Sequence, residues 1–181
     1  MDIHTIAVLL AVALFVWAVF LYNRLVRDRN RVLAAWSDID VQLKRRHDLI
    51  PKLIDAVKQY AAYEQATLSA VTELRDQSRQ ANDISRKGEL EQALGNGMQR
   101  LLAVAEAYPE LKANQSFLAL QNDISEVENN LQYARRYYNG AVRNLNIRID
   151  SFPSLVIARL LAFQPKPYFA LESDSEALPP E

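Results

Sequence analysis

The chain has 181 residues, half of them apolar, with no cysteine and a formal net charge of −1 at pH 7. The near-neutral charge gives no case for nucleic acid as a partner, and the absence of cysteine excludes disulfides, thiolate chemistry and zinc–thiolate sites. Once an apolar N-terminal stretch is set aside, the remaining residues suffice for one compact domain and are too few for two comfortable ones.

An unbroken apolar stretch opens the chain. Extended to Ile3–Tyr22 it comprises about 20 residues, which at about 1.5 Å per residue is just enough to cross a hydrocarbon core of about 30 Å. Residues 1–5 contain no Lys or Arg, and the stretch ends in large side chains rather than in a small-residue cleavage site. It therefore predicts an uncleaved transmembrane anchor over residues 1–23 rather than a signal peptide. A buried core helix of a soluble protein is the alternative.

Four arginines follow the anchor within ten residues: Arg24, Arg27, Arg29 and Arg31. Because cytoplasmic flanks of membrane spans are enriched in Lys and Arg, this asymmetry predicts a single-pass inner-membrane protein with its N-terminus outside and the rest in the cytoplasm. If the helix continues, these side chains lie within about 15 Å of the membrane, where each contributes about 1 kcal/mol at an anionic leaflet. We expect them to contact the membrane surface; topology signalling alone is the other interpretation.

From Trp36 to Leu74 the apolar residues alternate at spacings of three and four, which predicts one long amphipathic helix or two in line. Pro51 stands in its middle and has no N–H to donate to the carbonyl of His47, so it either kinks the helix or opens a new one. The apolar stripe keeps its phase across the proline, which favours a kink. Turn-forming residues in Gln80–Gly88 predict the first reversal.

A second helix carries apolar residues on one face from Leu90 to Ala105. Two glycines inside it, Gly95 and Gly97, cost about 2 kcal/mol of helix propensity relative to alanine. Two interpretations are open: the small residues let another helix approach closely, or the helix is bent or frayed there.

The segment Ala107–Glu110 predicts the second reversal, because Pro109 disfavours helical geometry at the residue before it. The helical spacing resumes at Phe117 and continues to Phe152, which predicts a third helix of about 35 residues.

Pro153 ends this helix, and Pro153–Phe163 predicts a short, strongly apolar helix. Its apolar side chains exceed what one short helix needs to bury, so some are expected to contact a neighbouring subunit or the bilayer. Closing the end of the bundle is the alternative for this set, which includes Leu155, Leu160, Leu161 and Phe163. The stretch Gln164–Glu181 contains prolines and acidic residues and predicts a disordered tail.

Together these elements predict an all-α fold: an N-terminal transmembrane helix followed by an antiparallel up-and-down bundle of three to four long helices over residues 24–163. The fourth member would be the Pro153–Phe163 helix or the half of the first helix on one side of Pro51. A parallel coiled coil of extended chains is the runner-up, and the two reversals argue against it.

Sequence motifs for catalysis or metal binding do not emerge. Neither His4 nor His47 has a histidine or carboxylate partner at the spacing of a bundle metal site, and the chain has no Glu-x-x-His element, phosphate loop or dinucleotide motif. Carboxylates along the first helix alternate with basic residues, which indicates a solvated, ion-paired face. We therefore expect no enzyme activity and no cofactor.

A basic cluster, Lys44, Arg45 and Arg46, lies farther from the anchor than the four arginines. Its position favours contact with an acidic partner or a neighbouring helix over contact with lipid.

Several segments resemble the LemA family of bacterial membrane proteins. In the first half they are Tyr22–Val26, Arg29–Val32, Ala35–Arg46, Asp48–Pro51 and Val57-Lys58. In the second half they are Ala107–Asn114, Phe117-Leu118, Ala134-Arg135, Tyr138-Asn139, Phe152–Ser154 and Ile157-Ala158. The resemblance covers nearly the whole chain apart from the acidic tail, and the block from Asp38 to Arg46 is specific.

The resemblance implies a single N-terminal anchor that carries a cytoplasmic, antiparallel helical bundle. The family has no assigned reaction, cofactor or catalytic residue, and one relative is associated with building magnetosome organelles. The resembling blocks contain polar residues within apolar stretches, which we expect to cap helices or to bind neighbouring helices, a functional surface being the alternative: Asn114, Asn139, Asn144 and Asn146.

Three classes of function fit these observations. The first, which we expect, is a self-associating structural or scaffolding component of the bacterial membrane. The second is an adaptor or regulator of another membrane protein, such as a protease or transporter. The third is an enzyme with an unrecognised carboxylate site.

Overall fold

The computed structural model describes residues 2–61 and 63–169. The regular structure in these ranges is α-helical throughout, in α1 (Ile3–Lys58), α2 (Gln65–Gln80), α3 (Ile84–Glu106), α4 (Pro109–Lys112), α5 (Gln115–Asp150) and α6 (Ser154–Leu160). The chain divides into unit 1, Met1–Ser37 with Tyr137–Pro167, and unit 2, Asp38–Arg136 with Tyr168–Glu181. The predicted all-α fold with one long apolar N-terminal helix is confirmed.

Helix α1 is one continuous helix of 56 residues and is long and apolar enough to cross a membrane. From Ile3 to Phe20 its large apolar side chains are exposed, whereas Leu21 and Leu25 are buried in the protein. A core helix of a soluble protein would bury such a stretch, and a membrane span leaves it facing lipid. The exposure pattern therefore favours the anchor over the buried-helix alternative.

In unit 1 the C-terminal part of α5 packs antiparallel to α1. The rings of Trp36 and Tyr138 meet edge to face with centroids 5.5 Å apart, and the guanidinium of Arg148 pairs with the buried carboxylate of Asp28. Moving forward along α5 thus moves the contact backward along α1. The apolar core between the two helices contains Leu25, Val32, Ala35, Val142, Leu145 and Ile149.

The segment after α6 returns to α5. Asn146 Nδ2 donates to the Lys166 carbonyl at 2.9 Å, and the Lys166 N–H donates back to Asn146 Oδ1 at 2.9 Å. The Tyr138 hydroxyl, whose pKa is raised by burial, donates to the Pro167 carbonyl at 3.0 Å. Residues 164–167 are therefore ordered rather than disordered as predicted. Asn146 satisfies both the N–H and the carbonyl of Lys166. Residues 170–181 of the predicted tail lie outside the described residues.

Unit 2 is built around an apolar core to which five helices contribute. This is helix-on-helix packing of the kind that the alternating spacings predict. The core contains Ile50, Leu53 and Val57 from α1, Leu68 and Val71 from α2, Leu94, Met98 and Leu101 from α3, Leu111 from α4, and Phe117, Leu120, Ile124 and Val127 from α5.

The reversal predicted in Gln80–Gly88 lies between α2 and α3, and a further reversal that the sequence does not predict lies between Lys58, the end of α1, and Gln65, the start of α2. The prediction of one long helix from Trp36 to Leu74, or of two helices in line, is therefore wrong, because α2 folds back along α1. Residues 59–64 contain no proline or glycine, so the sequence offers no breaker signal there. The break lets Val71 and other apolar residues of α2 join the same core as α1, and tertiary burial outweighs local helix propensity.

Pro51 lies inside α1, so it does not begin a new helix. The proline cannot donate to the carbonyl of His47, which would otherwise lack its helical partner. Instead, Arg75 Nε of α2 donates to this carbonyl at 2.9 Å. The contact shows that α2 folds back along α1, and it satisfies the acceptor that Pro51 leaves free. The predicted kink itself stays a prediction.

Helix α3 passes through Gly95 and Gly97 without interruption. A Cβ atom on Gly97 would lie 2.8 Å from Val71 Cγ2 of α2, and one on Gly95 would lie 2.6 Å from Arg46 Nη2 of α1. Both distances are shorter than real Cβ contacts, so side chains from neighbouring helices occupy the space that the glycines leave. Of the two interpretations, close helix approach is the correct one.

Side chains cap the starts of α3 and α5. Asp83 accepts a hydrogen bond from the Arg86 N–H at 2.8 Å at the start of α3. Asn114 Oδ1 accepts from the Ser116 N–H at 2.9 Å at the start of α5, as expected for this asparagine. The predicted second reversal contains the short helix α4.

Candidate functional site

Glu91 of α3 is fully buried at the centre of a polar cluster in unit 2. Arg46 Nη1 donates to Glu91 Oε2 at 2.8 Å and to the Glu91 carbonyl at 2.9 Å. His47 Nε2 lies 2.6 Å from Glu91 Oε1, and the Ser78 hydroxyl donates to the same oxygen. We call these four residues the Glu91 cluster. It joins α1, α2 and α3, and Arg46 Nε extends it to Glu128 Oε1 of α5 at 2.7 Å.

The electrostatics of the cluster keep Glu91 ionised. Burial by itself would raise the pKa of this carboxyl, but the hydrogen bond with His47, the positive charge of Arg46 and the hydrogen bond from Ser78 outweigh it and lower the pKa from 4.5 to about 2. A buried carboxylate held in this way is negatively charged at any physiological pH. Its charge is compensated by Arg46, which is itself buried.

The residues of the cluster are buried because they occupy positions that the three-and-four spacing otherwise gives to apolar residues of the core. Glu91 precedes Leu94, Met98 and Leu101 at the same alternating spacing of three and four. Arg46 interrupts the stripe of α1, and Ser78 lies seven residues after the buried Val71 of α2.

Sequence reasoning identified Arg46 as an interruption but missed Glu91 and Ser78 as its partners. It also found no carboxylate for His47, because the partner lies 44 residues away on another helix. The available signal is that opposite charges occupy core positions of two different helices, which a bundle must bring together.

The chemistry of the cluster is that of a structural ion pair. Both oxygens of Glu91 are hydrogen-bonded within the protein, and the residue is fully buried. In residues 2–61 and 63–169, no group of three or more His, Cys, Asp or Glu side chains is arranged to hold a metal ion. The arrangement supports cohesion between helices rather than catalysis.

The predicted basic cluster separates into two kinds of residue. Lys44 and Arg45 are exposed, and Arg45 Nη2 lies 3.5 Å from Glu126 Oε1 on the protein surface. Arg46, by contrast, is buried and paired within the chain. Of the two contacts expected for this cluster, an acidic partner or a neighbouring helix, Arg46 makes the second, because a guanidinium in an apolar stripe requires carboxylates from neighbouring helices.

The four arginines after the anchor are all exposed in unit 1. Arg31 lies 3.5 Å from the carboxylate of Asp28, and the Arg29 guanidinium lies 5.6 Å from the ring centroid of Phe163. Arg24 and Arg27 complete the set. Their contact with a membrane surface stays a prediction.

The short apolar helix also lies in unit 1, as α6. Leu155 and Phe163 are half-buried, and Phe163 packs edge to face on Tyr22 with centroids 6.2 Å apart. Leu160 and Leu161 are exposed. These two leucines therefore do not close the end of a bundle within this chain.

Comparisons with known proteins agree with the resemblance noted in the sequence. The family model of the LemA family matches residues 35–181. Protein LemA of Metamycoplasma hominis is 30% identical over 140 residues, which cover 77% of this chain and 64% of that protein. The chain thus spans less than two thirds of that relative's length.

Two further relatives carry a different name. Magnetosome protein MamQ 2 of Paramagnetospirillum magneticum is 24% identical over 190 aligned residues, covering 91% of this chain and 70% of the relative. Magnetosome protein MamQ of Magnetospirillum gryphiswaldense is 22% identical with the same coverage, 91% and 70%.

Proposed function

This chain belongs to the LemA family, and on that premise we propose that it is a non-enzymatic, membrane-anchored helical-bundle protein that self-associates as a structural or scaffolding component of the bacterial membrane. The observation that carries the proposal is the continuity of α1. Its lipid-facing residues lead into the buried Leu21 and Leu25 without a loop. A tethered enzyme has no need of such continuity, whereas a structural element gains a fixed orientation from it.

The Glu91 cluster supports the structural part of the proposal. The buried charges of the cluster make contacts among four helices, and Glu91 is paired with Arg46, which also pairs with Glu128. Two relatives are named magnetosome proteins, which agrees with a role in a cellular structure.

Self-association is helped by confinement to a membrane, which raises the effective concentration of every copy, so weak contacts suffice. Unit 1 exposes Leu33 on α1 in addition to its anchor. An apolar side chain there is available to a second copy beside the first.

We also propose that the N-terminus lies outside and the bundle in the cytoplasm of the inner membrane, because the exposed arginines follow the anchor. The chain contains no cysteine, so single cysteines report cleanly on topology. In intact spheroplasts, a membrane-impermeant maleimide should label Asp2→Cys and leave Gln99→Cys unlabelled until the cells are lysed. The reverse pattern would overturn the orientation.

Self-association is tested by extracting the full-length protein with its membrane in a polymer and measuring the particle mass. We expect multiples of the 20.6 kDa chain. A Leu33→Cys variant should form disulfide-linked dimers in the membrane under mild oxidation, and the matched Gln99→Cys variant on α3 should not. A monomer at native membrane density would refute the scaffold.

An adaptor that regulates another membrane protein is the second candidate, favoured by the exposed side chains of Lys44 and Arg45. A one-to-one complex with a different membrane protein in the same particles would support it. Charge reversal at both positions should then release that partner.

A further inference from the structure

We infer that α6, together with Phe152 just before it, is a second membrane-contact element that lies in the interface of the bilayer crossed by α1. The partner is lipid: the boundary between anionic headgroups and acyl chains on the side where α1 emerges. The inference rests on the anchor in the proposed function and is independent of self-association.

The first observation is that α6 buries small residues and exposes large apolar ones. Its most buried residues are the small Ser154 and Ala158, which are 6% and 1% exposed, and Leu155 and Ile157 are half-buried. Its outer face presents Val156 and Leu160, which are 56% and 77% exposed, and Phe152 before the helix is 81% exposed. A helix of a water-soluble bundle turns its large apolar residues inward. The reversed pattern is that of a helix whose outer face lies in an apolar medium.

Two of these residues share one side of the helix. Val156 and Leu160 are four residues apart in α6, and Phe152 is exposed just before the helix begins. Leu161, 49% exposed, widens this face at its end. Isolated apolar residues on a surface are normal, but a contiguous patch of large ones indicates an interaction site.

The second observation is the level at which α6 lies along α1. Phe163, just after α6, packs on Tyr22, the last residue of the apolar stretch, and lies 5.6 Å from the Arg29 guanidinium. Tyr22 and Arg29 are separated along the helix by about 10 Å. The headgroup layer on each side of a bilayer is about 5 to 8 Å thick. Phe163 therefore lies at the level of the headgroups when α1 spans the membrane.

The antiparallel register of α1 and α5 places the other end of α6 at the same level. Tyr138 meets Trp36, and Arg148 meets Asp28. Continuing this register to Asp150, the last residue of α5, brings the end of that helix level with about residue 26 of α1, and Phe152 follows two residues later. Both ends of the α6 segment thus lie close to the end of the span, so its outer face lies along the membrane surface.

The charges around this face match an anionic bilayer. Arg24 and Arg27 of α1 and Arg159 of α6 itself are exposed, and basic side chains that flank an apolar face are typical of interfacial helices. The carboxylate of Asp28 does not oppose them, because it is buried and paired with Arg148. A second copy of the chain would bring the same arginines to the contact, and facing like charges disfavours association.

The test uses the full-length, cysteine-free chain with single cysteines labelled by an environment-sensitive fluorophore. Each variant is reconstituted at a low protein-to-lipid ratio into vesicles of equal parts phosphatidylcholine and phosphatidylglycerol, with or without lipids that carry a nitroxide quencher near the top of the acyl chain. The reporters are Leu160→Cys and Val156→Cys, both at exposed positions that do not contribute to a core. Val19→Cys in the span is the positive control, and Gln99→Cys on α3 is the negative control.

We expect the quencher to lower the fluorescence of both α6 reporters about as strongly as that of Val19→Cys, and to leave Gln99→Cys unchanged. Quenching at Val19→Cys without quenching at either α6 reporter would overturn the inference and leave the anchor standing. The absence of quenching at Val19→Cys would overturn the anchor and the inference together. If the fluorophores on α6 report an apolar environment only at a high protein-to-lipid ratio, the face contacts a second copy of the chain, and the inference is also overturned.

Discussion

Unit 1 and unit 2 each have an apolar core, but they differ in the other side chains that they bury or expose. Unit 2 buries a complete ion pair, Arg46 with Glu91. Unit 1 leaves large apolar residues such as Phe152 and Leu160 on its outer face and buries the small Ser154 and Ala158. The difference agrees with the proposed interfacial position of α6, because apolar surface is buried away from water but has no such need beside lipid.

The two units also differ in how polar groups connect their segments. In unit 2 the Glu91 cluster joins helices through charged side chains. Unit 1 also joins two helices through a charged pair, Asp28 with Arg148, but Asn146 fixes its non-helical segment through the main chain of Lys166. Charge-mediated contacts depend on pH, whereas those of a neutral amide do not, so the Glu91 cluster and the segment held by Asn146 should respond differently to a change of pH.

The largest expected effect is loss of the central carboxylate of unit 2. Glu91→Leu leaves the guanidinium of Arg46 buried with Glu128 alone, and removing one partner of a buried pair costs about 3 to 5 kcal/mol. The measurement is urea unfolding in mild detergent, followed by helical circular dichroism.

Glu89→Leu is the matched control, because Glu89 is exposed two residues earlier on α3 and should change the free energy of unfolding by less than about 0.5 kcal/mol. Adding Arg46→Met to Glu91→Leu should recover part of the loss, since no unpaired charge then remains. Equal effects of the Glu89 and Glu91 variants would remove the contrast between buried and exposed charge.

Acid should weaken unit 2 next most strongly. The pKa of Glu91 is about 2 when folded and 4.5 ordinarily, so the unfolded chain takes up the proton first as the pH falls. The cluster therefore stabilises folding fully above about pH 5 and loses up to about 3 kcal/mol as the pH falls toward 2. The difference in free energy of unfolding between the native chain and Glu91→Gln should shrink over this window. A difference that stays constant from pH 6 to pH 2 would contradict the assignment.

A smaller effect is expected when unit 1 loses its main-chain contact. Asn146→Ala removes two hydrogen bonds to Lys166, which at about 1 kcal/mol each lowers stability by about 2 kcal/mol. Hydrogen exchange of the Lys166 amide should accelerate in this variant at any pH. The exposed Asn144 supplies the control, and an equal acceleration in Asn144→Ala would show that Asn146 has no special role.

The smallest expected effect is that of a glycine-to-alanine substitution, which should lower the free energy of unfolding in unit 2 and raise it in unit 1. Gly97→Ala in unit 2 gains about 1 kcal/mol of helix propensity but pushes a methyl group against Val71, which costs about 1 to 3 kcal/mol, so we expect a net loss of about 1 kcal/mol. Gly140→Ala in unit 1 meets no neighbouring atom within 4 Å and should stabilise by up to about 1 kcal/mol. Thermal unfolding of both variants in the same detergent checks the signs.

The helices that the sequence predicts well are those whose ends carry local signals. The predicted helix from Phe117 to Phe152 appears as α5, because Asn114 caps its start and Pro153 follows its end. The apolar N-terminal helix is equally clear from its length and composition. Local capping and periodicity are sufficient in such cases.

The features that the sequence does not predict depend on distant residues. The break at 59–64 has no glycine or proline to announce it and follows from packing of α2 into the unit 2 core. The partners of Arg46 lie 45 and 82 residues away in the sequence. Only the folded bundle therefore shows that Glu91 and Glu128 both pair with this guanidinium. The outer face of α6 is recognisable as apolar from its sequence, but its level beside Tyr22 comes from the fold alone.

The proline in α1 has a consequence for how two helices find their alignment. Main-chain hydrogen bonds along their whole length fix the register of neighbouring strands. In paired helices the main-chain N–H and C=O groups bond within each helix, so they do not fix the register between the two helices. By leaving the His47 carbonyl free, Pro51 gives α1 one main-chain acceptor that points sideways, and Arg75 binds it. Pro51, which breaks the hydrogen-bond pattern of its own helix, thus creates a contact that fixes the position of α2 along α1.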